Sequence, residues 1–309
     1  MIGTHALISD DVLYKKLGLV ITDEQHRFGV NQRSTFMDKG IKPDVLYLSA
    51  TPIPRTYALS IYGDMDISSI HTMPTGRTPV TTYIKDKSSI KDILTDMLKE
   101  IRNGHQIYVV APLIESDSED TRESVLNLEI EMNKAFSKIC SIGVLHGKMK
   151  DTEKNDIMQN FKDNKIQILV STTVIEVGID VSNATMIVIF DADSFGLSAL
   201  HQLRGRVGRG MQSSTCYLIN DSNTDRLNIL AQTTDGFRIS EEDFKNRGSG
   251  DLFGLKQSGD MTFKIANLCV DYQLFLKAKE DSLIFITKYI DYLPYRDIKN
   301  KILESNKAS

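Results

Sequence analysis

The stretch Leu17-Gly18-Leu19-Val20-Ile21-Thr22-Asp23-Glu24-Gln25-His26 places two adjacent carboxylates directly after an apolar run. Short apolar runs of this kind are typical of buried parallel strands. Carboxylates at the end of such a strand suit a nucleoside-triphosphate site, because one can hold Mg²⁺ through its water shell and the other can polarise an attacking water. We assign Asp23 to the metal, through water, and Glu24 to the attacking water. The alternative is an acidic helix N-terminus.

Similar apolar runs recur along the chain, separated by helical stretches, and predict an α/β fold built on a parallel, doubly wound sheet. Ligands on such sheets bind at the carboxyl ends of the strands. Beyond residue 221 the strand pattern stops, and we expect helices and loops. The expected strands are residues 17–22, 45–49, 82–84, 106–111, 142–145, 166–171, 185–190 and 215–219, and the expected helices are 89–102, 124–136, 152–162 and 199–204.

A second motif lies far downstream and reads Gln202-Leu203-Arg204-Gly205-Arg206-Val207-Gly208-Arg209. Arginine carries a permanent charge on a planar fork that matches phosphate oxygens. Supplied from a neighbouring domain, such a group stabilises the charge that develops during phosphoryl transfer. We therefore expect Arg206 and Arg209 to contact a γ-phosphate across a cleft from the paired carboxylates. The alternative is a solvated basic helix end.

Small hydroxyl residues follow two further strands. Thr51 could relay between the nucleotide site and neighbouring loops, although a turn stiffened by proline is the alternative. Thr172 and Thr173 stand at a strand-to-helix transition, where helix N-termini bind phosphates, so they could hold a nucleic-acid phosphate. Asp180 could then meet the ribose of a nucleotide or orient an arginine. The alternative for this segment is strand–turn–helix chemistry with a threonine N-cap.

The bulk composition limits the possible classes of protein. The chain has 309 residues, of which 41% are hydrophobic and 25% charged, and it is long enough for about two domains. Neither a membrane span nor a signal peptide is predicted, and the three widely spaced cysteines indicate a reduced, cytoplasmic protein. A net charge of -4 argues against a strongly basic nucleic-acid binder, so any such binding uses local groups or a module elsewhere.

One expected motif is absent from the sequence. No phosphate-binding loop of the form Gly-x-x-x-x-Gly-Lys-Ser/Thr occurs, although a complete nucleotide-binding sheet would begin with one. We therefore expect the first domain to be about half present. Residues 72–79, with two prolines and a glycine, predict a linker, and the charged stretch 115–123 predicts a solvated loop.

In order and spacing, these motifs resemble motifs II, III, V and VI of superfamily 2 helicases. The longer words at residues 23–30, 50–56 and 195–209 are similar to those of RecG, a family of bacterial ATP-dependent DNA helicases. The resemblance implies ATP and Mg²⁺ as cofactors. It implies catalytic roles for Glu24, Arg206 and Arg209, and nucleotide or metal contacts for Asp23, Gln25, His26, Gly178, Asp180 and Gln202.

The segment after residue 225 resembles the translocation motif of the same family, a helical hairpin and loop that couples ATP hydrolysis to movement on duplex DNA. Arg238 and Arg247 match the arginines that position the hairpin, and Gln257 matches the loop glutamine. Together with Thr51, Thr172 and Thr173, they form the implied set of DNA-binding and coupling residues.

The resemblance also implies the domain layout and the partners. The implied function is ATP hydrolysis that drives a 3′–5′ type DNA helicase, which remodels stalled forks and Holliday junctions in recombination and repair. The implied partners are branched or forked DNA, an N-terminal helicase half of the same protein, and single-stranded DNA-binding protein. The expected domains are an incomplete first RecA-like helicase domain (1–73), a second RecA-like domain (74–224), the translocation hairpin (225–262) and a helical tail (263–309).

Two alternatives remain open. The transcription-repair coupling factor shares the translocation motif and the arginine segment, although it usually has Glu where this chain has Gln25. The chain could also be a non-catalytic DNA-binding piece, since half of the expected ATP site is absent, and we expect it to be inactive alone. Salt-dependent binding to branched DNA without any effect of ATP would indicate the second alternative.

Overall fold

A computed structural model describes residues 1–9, 12–23, 43–49, 68–72, 78–114, 123–173, 180–221, 225–251 and 271–305. The eight expected strands all form. They are β1 (Leu19–Thr22), β2 (Asp44–Tyr47), β3 (Val80–Lys85), β4 (Gln106–Val110), β5 (Ile142–Leu145), β6 (Ile168–Ser171), β7 (Ala184–Ile189) and β8 (Ser214–Ile219).

The four expected helices form as well, and the described residues after 221, where helices and loops were expected, contain four more. They are α1 (Ile90–Arg102), α2 (Val125–Phe136), α3 (Asp151–Lys162), α4 (Leu197–Arg204), α5 (Asp225–Gln232), α6 (Gly236–Asp251), α7 (Tyr272–Lys288) and α8 (Arg296–Ser305). The ends differ from the prediction by up to two residues, as at β6, where Ile166 directs its carbonyl to the side chain of Gln106 instead of a strand partner.

Strands β3 to β8 form a parallel sheet of six strands in the order β3-β8-β7-β4-β6-β5, which confirms the predicted sheet. Strands β1 and β2 pair in parallel with each other. Every residue of β4 and β7 is buried, because helices cover both faces of the larger sheet.

Two apolar layers hold the helices on this sheet. Successive strand residues point to opposite faces, so Tyr108 and Val110 face one layer while Ile107 and Val109 face the other. Helices α1 and α2 pack on the second layer, and α3, α4 and α5 pack on the first. Both layers are continuous with the centre of the sheet, so the sheet is a rigid base for the loops at its two edges.

The described residues fall into two compact units. One contains those within residues 1–53 and 68–246, including both sheets. The other contains those after residue 246, where α7 and α8 are joined through a short 3₁₀ helix and an edge-on contact between Phe285 and Tyr295. Among the helices in the described ranges, none is long and apolar enough to cross a membrane.

Candidate functional site

The parallel sheet has two edges with different chemistry. All six strands end at one edge, the carboxyl edge, and begin at the other, the amino edge. The segment after β6 starts at the carboxyl edge and returns to the amino edge before β7. Helix α4 makes the same return between β7 and β8. As a result, the two threonines of residues 172–173 lie at the carboxyl edge, while Asp180 and the arginine motif lie at the amino edge.

At the amino edge, Arg209 is held from two sides. Its Nη1 lies 3.3 Å from Oδ1 of Asp180, and its Nε donates to the carbonyl of Gly205 at 3.1 Å. The Arg209 side chain is 20% exposed and that of Asp180 is 69% exposed. Asp180 therefore forms a partly exposed ion pair with Arg209.

The loop that carries the arginines, residues 205–213 between α4 and β8, is called the arginine loop and continues directly from α4. The amide of Gly205 donates to the carbonyl of His201, and that of Arg206 donates to the carbonyl of Leu203, each at 3.0 Å. Nε of Arg206 is buried. The charges of Arg206 and Arg209 both act on the buried Tyr108, whose pKa nevertheless rises to about 12 because burial opposes ionisation.

Two positions of the arginine loop require glycine for steric reasons. Gly208 has φ of 74°, a left-handed conformation that disfavours side chains, and a Cβ there would lie 2.7 Å from Cγ2 of Val80. A Cβ on Gly210 would lie 2.8 Å from the carbonyl oxygen of Ser182. The glycine spacing thus allows the arginine loop to pass close to β3 and to the turn before β7.

Arg204, the first arginine of the motif, has a structural role that the sequence interpretation missed. It is 3% exposed, and its Nη1 donates to the carbonyls of Leu230 at 2.6 Å and Thr233 at 3.0 Å. These bonds fasten the end of α4 to the end of α5. A signal was present in the sequence, because Arg204 follows Leu197 by seven residues and so falls on the same buried helix face.

Arg204 also sets the state of His201. Its Nη2 lies 3.0 Å from Nδ1 of His201. Since a guanidinium only donates, Nδ1 must accept, and the proton of the neutral ring is on Nε2. Burial, together with the charge of Arg204, lowers the pKa of His201 to about 4.

The half of the carboxyl edge at β5 and β6, called the polar half, carries buried polar groups. Thr172 is 8% exposed and donates its amide to the carbonyl of Leu145 at 3.3 Å, while Thr173 is half-buried. Nearby, Oγ of Ser171 and Nδ1 of His146 are buried without a hydrogen-bond partner among the described residues. The polar half thus carries polar groups that can serve an anionic ligand.

The other half of the carboxyl edge, at β3, β7 and β8, carries an acidic cluster that was not predicted. Nζ of Lys87 lies 3.3 Å from Asp191, 3.7 Å from Asp221 and 3.9 Å from Glu123. Burial works against the charge of Lys87, but the three carboxylates outweigh it and raise the pKa of Lys87. With one cation against three carboxylates, this half repels phosphate.

Glu123 in this cluster corrects one expectation. It was expected in a solvated loop, yet its side chain is only 24% exposed and its amide donates to Asp191. Burial raises the pKa of its carboxyl group, although the charge of Lys87 opposes the shift. Residues 115–122 of the same stretch lie outside the described residues.

Three more of the predicted site residues have side chains that the structure describes. Asp23 is exposed directly after β1, Gln202 is half-buried on α4, and Arg238 is exposed on α6. In the described residues, no group of three or more His, Cys, Asp or Glu side chains could hold a metal. The predictions for Glu24, Gln25, His26, Thr51, Gly178, Gln257 and the side chain of Arg247 lie outside the described residues.

A cavity of about 590 Å³ lies beside the arginine loop. His201, Arg204 and Gly208 line one wall, and the rings of His71 and Phe237, with centroids 4.4 Å apart, contribute another. Neither Arg206 nor Arg209 lines it. The cavity is therefore separate from the expected phosphate contacts.

Comparisons with known proteins identify the family. The profile of the helicase conserved C-terminal domain matches residues 89–211, and that of "ATP-dependent DNA helicase RecG, domain 3, C-terminal" matches residues 233–294. RecG of Staphylococcus aureus is 49% identical over 91% of this chain and 42% of its own length. RecG of Bacillus subtilis is 44% identical over 100% of this chain and 47% of its own length.

Solved structures agree with these sequence matches. A RecG bound to a three-way DNA junction is 42% identical, with a TM-score of 0.68 over 88% of this chain and 35% of that one. The helicase MrfA, solved with DNA and AMPPNP, has a TM-score of 0.53 over 72% of this chain and 33% of that one. At 17% identity it shows the fold alone. The chain belongs to the RecG family and has the RecA-like helicase fold, and it spans less than half the length of the curated relatives it matches.

Proposed function

We propose that this RecG-family chain serves in ATP-dependent remodelling of branched DNA, such as stalled forks and Holliday junctions, during recombination and repair. The observation that carries the proposal is the arginine loop at the amino edge of the sheet. There, the guanidinium groups of Arg206 and Arg209 lie on a glycine-rich loop that continues directly from the end of α4. The likeness to a RecG bound to a three-way junction supports branched DNA as the substrate class.

The residues present fit a nucleotide polyphosphate. Arg206 and Arg209 would contact the γ-phosphate, with Gln202, Asp180, Gly178, Gln25 and His26 as further nucleotide contacts. The ion pair between Arg209 and Asp180 is partly exposed, and such pairs contribute only about 0–1 kcal/mol. Asp180 can therefore hold the guanidinium in place and yield it to a phosphate at little cost.

The paired carboxylates, Asp23 and Glu24, would act on the metal ion and on the attacking water. Asp23, exposed after β1, offers the oxygen ligand that Mg²⁺ prefers, and would hold the ion through water. Glu24 would accept a proton from the attacking water. When bound, ATP with Mg²⁺ supplies the phosphoryl group and the free energy of hydrolysis, and the chain orients the reacting groups and stabilises charge.

The chemistry of the carboxyl edge favours a definite path for DNA. The acidic cluster around Lys87 repels phosphates, whereas the polar half at β5 and β6 offers them hydrogen-bonding groups. Thr172 and Thr173 would contact a DNA phosphate there, with Thr51 relaying to the nucleotide site. Arg238, Arg247 and Gln257 would couple hydrolysis to movement along duplex DNA. This activity belongs in the bacterial cytoplasm, with single-stranded DNA-binding protein as a candidate partner.

The experiment that tests this function measures ATP hydrolysis with and without a three-way DNA junction. It compares this 309-residue chain with a chain extended upstream to the length of its relatives, each beside its Glu24→Gln variant. We expect the extended chain to hydrolyse ATP faster with DNA, and Glu24→Gln to bind ATP without hydrolysing it. Normal turnover in Glu24→Gln would refute the role of Glu24. Salt-dependent DNA binding with no hydrolysis in the extended chain would indicate a non-catalytic DNA-binding protein instead.

A further inference from the structure

Helix α4, which ends in the arginine loop, lacks an N-cap of its own. Its N-cap position is Gly196, which has no side chain to accept hydrogen bonds from the first amides of the helix. The first amides of a helix have no partner within the helix, and Ser, Thr, Asp or Asn at the N-cap normally supplies one.

Asp243 of α6 supplies the missing cap. Its Oδ1 accepts from the amide of Leu197 at 3.2 Å, and its Oδ2 accepts from the amide of Ser198 at 3.3 Å and from the Ser198 hydroxyl at 2.7 Å. Asp243 is 5% exposed and lies 46 residues after Leu197. A buried carboxylate that receives these bonds at a helix N-terminus is also favoured by the helix dipole.

The same downstream segment grips α4 at two more points. Arg226 of α5 donates to the carbonyls of Asp193 at 2.7 Å and Phe195 at 2.9 Å, just before α4. At the other end, Arg204 donates to carbonyls at the end of α5. Helices α5 and α6 therefore hold α4 at its start, at its end and in the turn that precedes it.

No flexible spacer separates α4 from the arginine loop. The amides of Gly205, Arg206 and Val207 all donate to carbonyls in the last turns of α4, and the side chain of Arg209 donates to Gly205. A shift or loosening of α4 must therefore displace the loop.

We propose that Asp243 is a positioning residue for Arg206 and Arg209. By capping α4 from α6, it fixes the arginine loop in its orientation and passes changes in the position of α6 to that loop. The consequence for phosphate contact rests on the proposed function, whereas the mechanical link between Asp243 and the loop does not.

The test is amide hydrogen exchange of this chain, which needs neither ATP nor DNA. It compares Asp243→Ala, Asp243→Asn and the control Glu241→Ala, a carboxylate removed from an exposed position of the same helix. For Asp243→Ala we expect about tenfold faster exchange at residues 197 and 198, the size of a lost cap. Residues 205–207 should also exchange faster, while Val109 and Val188 in the sheet keep their rates.

Asp243→Asn keeps one accepting oxygen and should give intermediate rates at both places, and Glu241→Ala should change neither. Acceleration at 197 and 198 without any at 205–207 would make Asp243 a local cap and overturn the proposal. Equal acceleration in the sheet, or none at all, would overturn it as well. A chain that shows the expected exchange but hydrolyses no ATP when extended would refute the proposed function alone.

Discussion

The two edges of the six-stranded sheet differ in their charged groups and in their construction. The amino edge presents Arg206 and Arg209 on a loop shaped by glycines, with the carboxylate of Asp180 against Arg209. The carboxyl edge divides into an acidic half around Lys87 and a polar half at β5 and β6. Under the proposed function, one rigid sheet separates the phosphate contacts for a nucleotide from the phosphate contacts for DNA. Substitutions at one edge should therefore spare the function of the other.

The largest expected effect comes from Arg206→Ala at the amino edge. Because such an arginine stabilises the transferring phosphoryl group, ATP hydrolysis by the extended chain should fall about 10³-fold, with junction binding unchanged. The matched control is Arg102→Ala, an exposed arginine at the end of α1 near the same edge. Equal losses of hydrolysis in the two variants, or a parallel loss of DNA binding, would break the division between the edges.

Next in size is Gly208→Ala, which tests whether the arginine loop needs the left-handed backbone conformation of Gly208. The positive φ and the contact with Val80 predict a loss of about 3 kcal/mol in the free energy of unfolding. Urea denaturation of the chain measures it. In Gly18→Ala, the added Cβ meets nothing within 4 Å, so that variant should remain within about 0.5 kcal/mol of the parent. A neutral Gly208→Ala would show that the loop adapts.

Acidification should lower the stability of the folded chain through His201 near the amino edge and raise it through Glu123 at the carboxyl edge. The pKa of His201 is about 4 in the folded chain against 6.5 ordinarily. Between these values the unfolded chain binds a proton that the folded chain does not, so stability falls as pH falls. From pH 6.5 to 5 this costs about 2 kcal/mol. Denaturation across this range should give a flatter pH dependence for His201→Gln.

Glu123 at the carboxyl edge has the reverse sign. Its pKa is raised in the folded chain, so the folded chain binds a proton at a pH where the unfolded chain does not, and acidification stabilises it there. The same denaturation series should show a steeper acid loss for Glu123→Gln than for the parent. Slopes that change in the same direction in both variants would contradict the assigned environments.

The smallest expected effect is at Thr173, the more accessible of the two threonines at the carboxyl edge. Thr173→Val keeps the shape and removes the hydroxyl, so the affinity for a three-way junction should fall about tenfold through one lost hydrogen bond to phosphate. Thr173→Ser should retain most of the affinity, and ATP hydrolysis without DNA should not change. Equal binding by Thr173→Val and the parent would move the DNA path away from this half of the edge.

Local patterns were sufficient for much of the fold. Apolar runs located the eight strands, and the signal is strongest at β4, β6 and β7, where every residue is buried and the strand is covered on both faces. Spacing also brought Arg206 and Arg209 into one loop. Long-range polar contacts could not be inferred in this way. Nothing in the periodicity pairs Asp243 with Gly196 and its helix, or gathers Asp191, Asp221 and Glu123 around Lys87, because these contacts depend on how distant elements pack.

The pairing of β3 has a consequence for how the protein is made. Within the described residues, β3 borders only β8, and its residues Val80 to Lys85 pair with Ser214 to Ile219. The first strand of this sheet therefore has no neighbour until the last one has been synthesised. Contacts so distant in sequence form slowly, because a long loop must close first. If synthesis stopped before β8, the incomplete chain would lack β8, and β3 would have no strand to pair with. The sheet would then be short of two strands instead of one, and the apolar side chains of β3 would remain accessible to chaperones and proteases.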